Sequence, residues 1–233
     1  MKKVFLGVGH GGSDPGAVKF IVEKDANLQM AIACRDYLIA SGVEVKMSRT
    51  TDENDDLNEE IRECNAYNPD VAVDIHNNAG GGDGFEAFYT LGGGTGKILA
   101  ENMEAEIKKI GQNSRGCKTR KNDRGYDYYG FIRLTTCPAV IVEGAFVDNQ
   151  ADAAQIDTYE ECKAFGEAYA RGILKTLGVA DKMAETTETA NATNVVYRLY
   201  QQVAAYNNKS NADNAQKKLK EAGFDAMIVE VKK

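Results

Sequence analysis

The stretch DVAVDIHNNA, residues 70–79, decides the fold of this chain. Its first six residues are mostly small or β-branched apolar residues, which is typical of a strand buried within a parallel sheet. His76 follows this run directly. Because ligands of α/β proteins gather at the carboxyl ends of such strands, the stretch predicts a sheet and a functional site at its edge.

Apolar runs and helical stripes alternate on both sides of this stretch. Apolar residues spaced three or four apart predict helices that end at a glycine or before a proline. The alternation predicts an α/β fold, with a mostly parallel sheet flanked by helices on both faces. The predicted strands are 4–8, 43–47, 70–75, 85–90 and 139–142, and the predicted helices are 25–41, 57 to before Pro69, 99–110 and 165–177.

The composition of the chain changes after Leu177. Residues 179–193 are rich in Ala, Thr and Glu and lack an apolar period, which predicts a linker. A short β-α-β pattern follows at 194–233. We therefore expect a main domain at 1–178 and a small C-terminal segment, which at about 40 residues is marginal for a core of its own.

Charge and cysteine content exclude several classes of protein. The net charge is −7 and no dense stripe of Lys or Arg occurs, so we expect no nucleic-acid partner and no anionic membrane partner. No apolar run approaches the roughly 20 residues of a membrane span. The five cysteines are widely spaced and never form a C-x-x-C pair, which favours neither a disulfide scaffold nor a cysteine zinc site.

The N-terminal sequence MKKVFLGVGHGG contains two lysines and a short apolar run. That run is only about five residues long, which is shorter than the apolar region of a signal peptide. It makes better sense as the first strand. We therefore expect synthesis in the cytoplasm without an export signal.

The only two histidines of the chain, His10 and His76, each follow a predicted strand. Either one alone is more often a structural residue. Together they can give two imidazole ligands to one metal, and a catalytic zinc needs one more protein ligand and an open position. Glu23, just before a predicted helix, is the best third candidate, although an acid at a helix N-terminus is also favoured by the helix dipole.

Glu143 follows the apolar run Ala139–Val142. In such surroundings its pKa can rise into the range of a general base. The alternative interpretation of this residue is an ordinary acidic side chain in a loop. Asn77 and Asn78, beside the second histidine, are candidates to orient ligands or substrate, or else turn-forming residues. The pattern G-x-G-x-x-G at 7–12 is a weak match to the motif of dinucleotide-binding sites. In such sites a helix begins directly after the glycines, and no helix is predicted there in this chain.

Five successive segments resemble the motifs of the N-acetylmuramoyl-L-alanine amidases of the amidase-3 type. They are GHGGSDPGA (9–17), EKDANL (23–28), DIHNNA (74–79), GFEAFYT (84–90) and PAVIVEGAFVDN (138–149). The resemblance runs in order from about residue 2 to 177. It implies a mixed sheet flanked by helices, related to zinc carboxypeptidases. Carried over by motif, His10, Glu23 and His76 resemble the three zinc ligands of the family.

The resemblance also implies an activity. Glu143 resembles the catalytic glutamate, and the expected reaction is zinc-dependent hydrolysis of the amide between N-acetylmuramic acid and L-alanine in peptidoglycan, by an autolysin or a phage endolysin that acts on the wall after release. The alternatives are a zinc peptidase cutting the stem peptide and a wall-binding regulator without catalysis. Where the family commonly has Ser before I-H-N-N, this chain has Asp74, and Gly144–Phe146 departs from the commoner E-x-G-F.

The C-terminal stretch Val195–Val231 resembles half of a SPOR-like repeat, a module that binds peptidoglycan glycan. A complete module usually holds two β-α-β halves. One half leaves a strand edge exposed, so we expect completion by a second chain in a homodimer, or else a weakly ordered segment.

Overall fold

The computed structural model describes residues 1–184 and the single residue Lys217. Contacts within the chain divide it into residues 1–188 and residues 189–233. The predicted β-α-β segment and most of the predicted linker lie outside the described residues, and so does the predicted dimer contact.

One mixed sheet of six strands forms the centre of the described chain, in the order β2-β1-β3-β6-β4-β5. The first four strands in this order run parallel to one another, and β4 runs antiparallel to β6. The α/β class predicted from the sequence is therefore confirmed. The strands are β1 (Lys3–Val8), β2 (Glu44–Met47), β3 (Val71–Asn78), β4 (Phe85–Tyr89), β5 (Ser114–Lys118) and β6 (Ala139–Phe146).

Helices cover both faces of this sheet. Helices α1, α3 and α6 pack on one face around a large apolar core, and α2 and α4 pack on the other around a smaller one. Alternate side chains of a strand point to opposite faces, so Val73 and Ile75 enter the large core while Ala72 enters the small one. The helices are α1 (Glu23–Ala40), α2 (Leu57–Tyr67), α3 (Gly94–Lys109), α4 (Gly130–Leu134), α5 (Gln150–Ala153) and α6 (Tyr159–Leu177).

The two strands that carry site residues are longer than predicted. β3 continues through His76 to Asn78, and β6 continues through Glu143 to Phe146. The sequence predicted the first strand to end at Ile75, before His76, and the second to end at Val142, before Glu143. They continue because the two pair with each other there, with His76 opposite Glu143 in the register.

Three elements were missed in the sequence. The edge strand β5 reads SRGCK and is only partly buried, so it lacks the apolar run that marks a central strand. The helices α4 and α5 have five and four residues, too few to show a helical period.

Residues 179–184, which the sequence assigns to the linker, contact the main domain. Val179 packs against the large core, and the Asp181 carboxylate accepts hydrogen bonds of 2.8 and 3.0 Å from the Tyr37 hydroxyl in α1. Among the described residues, none of the helices is long and apolar enough to cross a membrane.

Candidate active site and metal centre

The candidate ligands come from three elements that meet at one edge of the sheet. His10 follows β1, Glu23 is the first residue of α1, and His76 lies in β3 next to β1. His10 has a φ of 62°, a left-handed conformation that non-glycine residues rarely adopt. Such strain persists only where the surrounding structure imposes it, and it is common at functional sites.

The three side chains converge on the Oε1 atom of Glu23. His10 Nε2 lies 3.3 Å from this oxygen, and His76 Nδ1 lies 3.2 Å from it. One donor atom from each of the three residues falls within 4.8 Å of the others. The structure therefore brings together the three residues that the sequence nominated as ligands.

Hydrogen bonds hold the Glu23 carboxylate in place. Its Oε2 accepts from the backbone N–H of Ala17 at 2.8 Å, and its Oε1 accepts from the backbone N–H of Asn77 at 3.2 Å. Burial alone would raise the pKa of this carboxyl, but its hydrogen bonds to the two imidazoles outweigh burial and leave the pKa far below its usual range. Glu23 is therefore an ionised, fixed oxygen donor.

Each imidazole turns its other nitrogen toward a second carboxylate. His10 Nδ1 lies 2.8 Å from the exposed Asp14, and His76 Nε2 lies 3.3 Å from the buried Asp74. The hydrogen bond to Glu23 raises the pKa of His10, and for His76 the nearby Asp74 and Glu23 carboxylates outweigh burial and raise the pKa well above its ordinary value. Negative charge thus surrounds both rings.

This arrangement fits a zinc ion. Two imidazoles and one carboxylate are a common protein ligand set for catalytic zinc. With bonds of about 2.0–2.1 Å, a tetrahedral ion separates its ligand atoms by about 3.3 Å. That spacing is found between Glu23 Oε1 and the facing nitrogen of each imidazole. Carboxylates behind metal-binding histidines, as at Asp14 and Asp74, are also typical of such sites.

Glu143 stands beside this cluster and is not part of it. It is the register partner of His76 across the β3–β6 pair, so both side chains project from the same face of the sheet. Burial raises the pKa of Glu143 to about 7, although the His76 charge opposes the shift. A carboxyl with a pKa near neutrality can both accept and return a proton under ordinary conditions.

The two asparagines do not form turns, because β3 runs through both. The buried Asn77 donates from Nδ2 to Asn27 Oδ1 at 2.8 Å and accepts at Oδ1 from the backbone N–H of Ala145 at 3.0 Å. It therefore ties β3 to α1 and β6 and supports the candidate ligands from behind. Asn78 donates to Glu86 at 3.3 Å. Direct contact of either side chain with substrate stays a prediction.

A cleft of about 330 Å³ opens beside the cluster. His10 and His76 line it, together with the carboxyl-bearing Glu60 and Asp74 and the ring of Tyr129. Tyr129 lines this cleft, whereas the neighbouring Tyr126 and Tyr128 are exposed.

Sequence reasoning did not find roles for Asp74 and Glu60. Glu60 carries no motif, and its approach to the cleft depends on how α2 packs against the sheet. Asp74 stood out only as a departure from the family pattern.

The glycine pattern at 7–12 is explained by close approach of side chains. A Cβ on Gly9 would stand 2.1 Å from Cε1 of His76. A Cβ on Gly7 would stand 2.0 Å from Oε1 of Glu60. The glycines thus make room for the acidic and imidazole groups of the site, which leaves no role for them in holding a pyrophosphate.

Comparison with known proteins gives two family matches. Residues 4–175 match the family described as N-acetylmuramoyl-L-alanine amidase, and residues 196–233 match the SPOR domain. The chain is 32% identical to the N-acetylmuramoyl-L-alanine amidase CwlM of Bacillus licheniformis, over 98% of this chain and 85% of that protein. It is 33% identical to the endolysin of Bacillus phage SPP1, over 78% of this chain and 68% of that protein.

The fold is also similar to solved structures of this family. The catalytic domain of CwlV, an N-acetylmuramoyl-L-alanine amidase from Bacillus (Paenibacillus) polymyxa, is 28% identical and superposes with a TM-score of 0.69. The match covers 77% of this chain and 100% of that domain. The chain therefore belongs to the N-acetylmuramoyl-L-alanine amidase family and is an enzyme whose substrate is peptidoglycan.

Proposed function

We propose that the chain hydrolyses the amide between N-acetylmuramic acid and L-alanine in a zinc-dependent reaction. His10, Glu23 and His76 hold the ion, and Glu143 moves the proton. The observation that carries this proposal is the convergence of both imidazoles on one Glu23 oxygen, at 3.3 and 3.2 Å, with Glu143 in register beside His76. A bound zinc supplies Lewis-acid chemistry, in which it polarises the amide carbonyl and makes water more acidic.

The residues of this chain provide the proton transfer. One Glu143 carboxylate oxygen accepts a proton from the water that attacks the amide carbon. The same carboxyl group then donates that proton to the amide nitrogen, because an amine leaves readily only once it is protonated. The C–N bond breaks, and the products are a free lactyl carboxyl group on the glycan and a free α-amino group on L-alanine.

The surroundings of Glu143 suit this double use. Burial raises its pKa to about 7, which brings its proton affinity close to working pH. Glu86 faces it from the antiparallel strand β4, but Glu86 is bound by Arg115 and Lys118. Glu143, by contrast, forms no ion pair with a Lys or Arg in the described part of the chain.

We also propose that the enzyme acts on the wall after release, as a host autolysin or a phage endolysin. One relative reported above is a bacterial amidase and the other is a phage endolysin. The similarity of the chain to both relatives supports either role.

Zinc binding by variants tests the metal centre. His10→Ala, Glu23→Ala and His76→Ala each remove one of three protein ligands, so each should weaken zinc binding severely. Zinc retention is measured by metal analysis after dialysis against a weak chelator. Asp70→Asn, directly before the first residue of the strand that carries His76, is the matched control and should keep its zinc. Full retention in all three ligand variants would refute the assignment.

Product analysis tests the reaction. Purified muropeptides digested with the wild-type enzyme should yield lactyl-ended glycan and peptides that begin with L-alanine. New termini within the stem peptide would instead identify a peptidase. No product from a zinc-loaded, folded enzyme would identify a wall-binding protein without catalysis.

A further inference from the structure

A buried carboxylate stands behind the His76 imidazole. The Asp74 side chain is only 4% exposed, and its Oδ2 lies 3.3 Å from His76 Nε2. Asp74 and His76 are two residues apart on one strand, so both project from the same face. The imidazole is thus held between Glu23 at Nδ1 and Asp74 at Nε2.

A second buried carboxyl group approaches Asp74 from α2. Glu60 is 6% exposed, and its Oε1 and the Oδ1 of Asp74 have no hydrogen-bond partner among the described residues. Both atoms crowd the point where a Cβ on Gly7 would stand, at 2.0 and 2.8 Å. Two buried acidic groups with unpaired oxygens therefore face each other above β1, on the wall of the cleft.

The two buried acidic groups influence each other's ionisation. A buried charge is tolerated when it is paired, and two acidic groups in one apolar site oppose each other. Burial, reinforced by the negative charge of Asp74, raises the pKa of Glu60 well above its usual range. A dication bound at Nδ1 of His76 would polarise the imidazole, and the polarised Nε2–H would offset the negative charge of Asp74.

We propose that Asp74 is a positioning residue for the metal centre. Asp74 fixes the tautomer of His76 that carries its proton on Nε2, so the lone pair of Nδ1 points toward Glu23. An imidazole ligand must present a bare nitrogen to the metal, and an acceptor at the other nitrogen selects the tautomer that does so. The inference rests on the metal centre proposed above. It assigns a role to the residue at which this chain departs from the serine common in the family.

Asp74→Asn tests the inference because it separates metal affinity from stability. The variant keeps the size of the side chain and removes the charge. Loss of a carboxylate behind a metal-binding histidine typically weakens metal binding about 10- to 100-fold. The zinc-free variant should still fold, so that its zinc affinity can be compared directly with that of the wild type. A residue with a purely structural role would lower the unfolding temperature and leave zinc affinity unchanged.

Zinc affinity is measured by competition with a chromophoric chelator, and thermal unfolding is measured on metal-free protein. Asp70→Asn is the matched control. It loses the 2.8 Å ion pair with Lys2 at the start of the same strand and should keep wild-type affinity. Asp74→Ala, which removes the acceptor at Nε2 altogether, is titrated beside it and should weaken zinc binding at least as much. Failure of both to fold would overturn the inference, because it predicts that the metal-free fold is retained.

An affinity of the folded variant within twofold of the wild type would also overturn the inference. Failure of the underlying metal centre gives a different result. In that case His76→Ala itself would bind zinc as tightly as the wild type, whatever the behaviour of Asp74→Asn.

Discussion

Replacement of Glu143 by Gln separates proton transfer from metal binding and folding. Gln has the same shape as Glu but can neither accept nor return a proton. Glu143 lies outside the group of three convergent donors, so the variant should bind zinc as the wild type does. Its place in the paired β6 strand is unchanged, so the fold should persist as well.

The expected loss of rate follows from the environment of this carboxyl. Burial raises the pKa of Glu143 to about 7, so near pH 7.5 most molecules carry the base form and still return the proton readily. General acid–base catalysis contributes about 10²- to 10⁴-fold, which corresponds to about 3–5 kcal/mol of transition-state stabilisation. We expect kcat for a soluble muropeptide to fall by that factor while KM changes little.

The assay is chromatographic detection of lactyl-ended glycan from a defined muropeptide, with bound zinc measured in the same samples. Glu86→Gln is the control, because it changes the facing strand without altering the proposed proton carrier, and it should stay within a few-fold of wild type. Near-normal turnover of zinc-loaded Glu143→Gln would refute the role of Glu143.

The pH profile gives an independent check. Because the pKa of Glu143 is raised, wild-type activity should fall on the acid side with a midpoint above 4.5, while zinc remains bound. A midpoint at or below 4.5 would contradict the raised pKa.

Two further predictions concern stability and assembly. Because the folded-state pKa of Glu60 is raised, the folded protein loses stability as pH rises from about 4.5 toward that pKa. Glu60→Gln should remove this loss, so the variant should unfold at a higher temperature than the wild type at pH 8 and at a similar temperature at pH 4. Equal shifts of the unfolding temperature at both pH values would contradict the raised pKa. Removal of residues from 185 onward keeps the Asp181–Tyr37 contact. Under the dimer hypothesis the truncated protein is a monomer that still hydrolyses small muropeptides but binds intact walls less well, because linked sites gain avidity. A full-length chain that sediments as a monomer at micromolar concentration would refute the pairing.

The layered fold could be predicted from the sequence because apolar periodicity marks buried elements. Val4–Val8 marks β1, and Val71–Ile75, apolar except for Asp74, marks β3; both strands were predicted in their correct places along the chain. The end of β3 was misplaced because polarity was taken as the end of pairing. At a functional edge, a strand can continue to pair while its side chains become polar, as His76 does opposite Glu143.

The candidate ligands were also accessible from the sequence, because a chain with two histidines leaves little choice of imidazoles. Their supporting residues were not. Asn27 and Asn77 meet through a 2.8 Å hydrogen bond between α1 and β3, residues 50 apart in sequence. Glu60 reaches the cleft only because α2 packs over Gly7. Such contacts depend on tertiary packing, which local periodicity does not encode.

The charge of the site favours a bound cation independently of the ligand geometry. Asp14, Glu23, Asp74 and Glu143 surround two imidazoles, and in the part of the chain that the structure describes no Lys or Arg forms an ion pair with any of these four carboxylates. Burial raises the pKa of Glu143 to about 7, and the negative charges of Glu23 and Asp74 add to that shift. A dication at the convergence point would relieve that repulsion, so metal binding and folding should be coupled. Zinc should accordingly raise the unfolding temperature of the wild type more than that of Asp74→Asn, because the variant binds the ion more weakly.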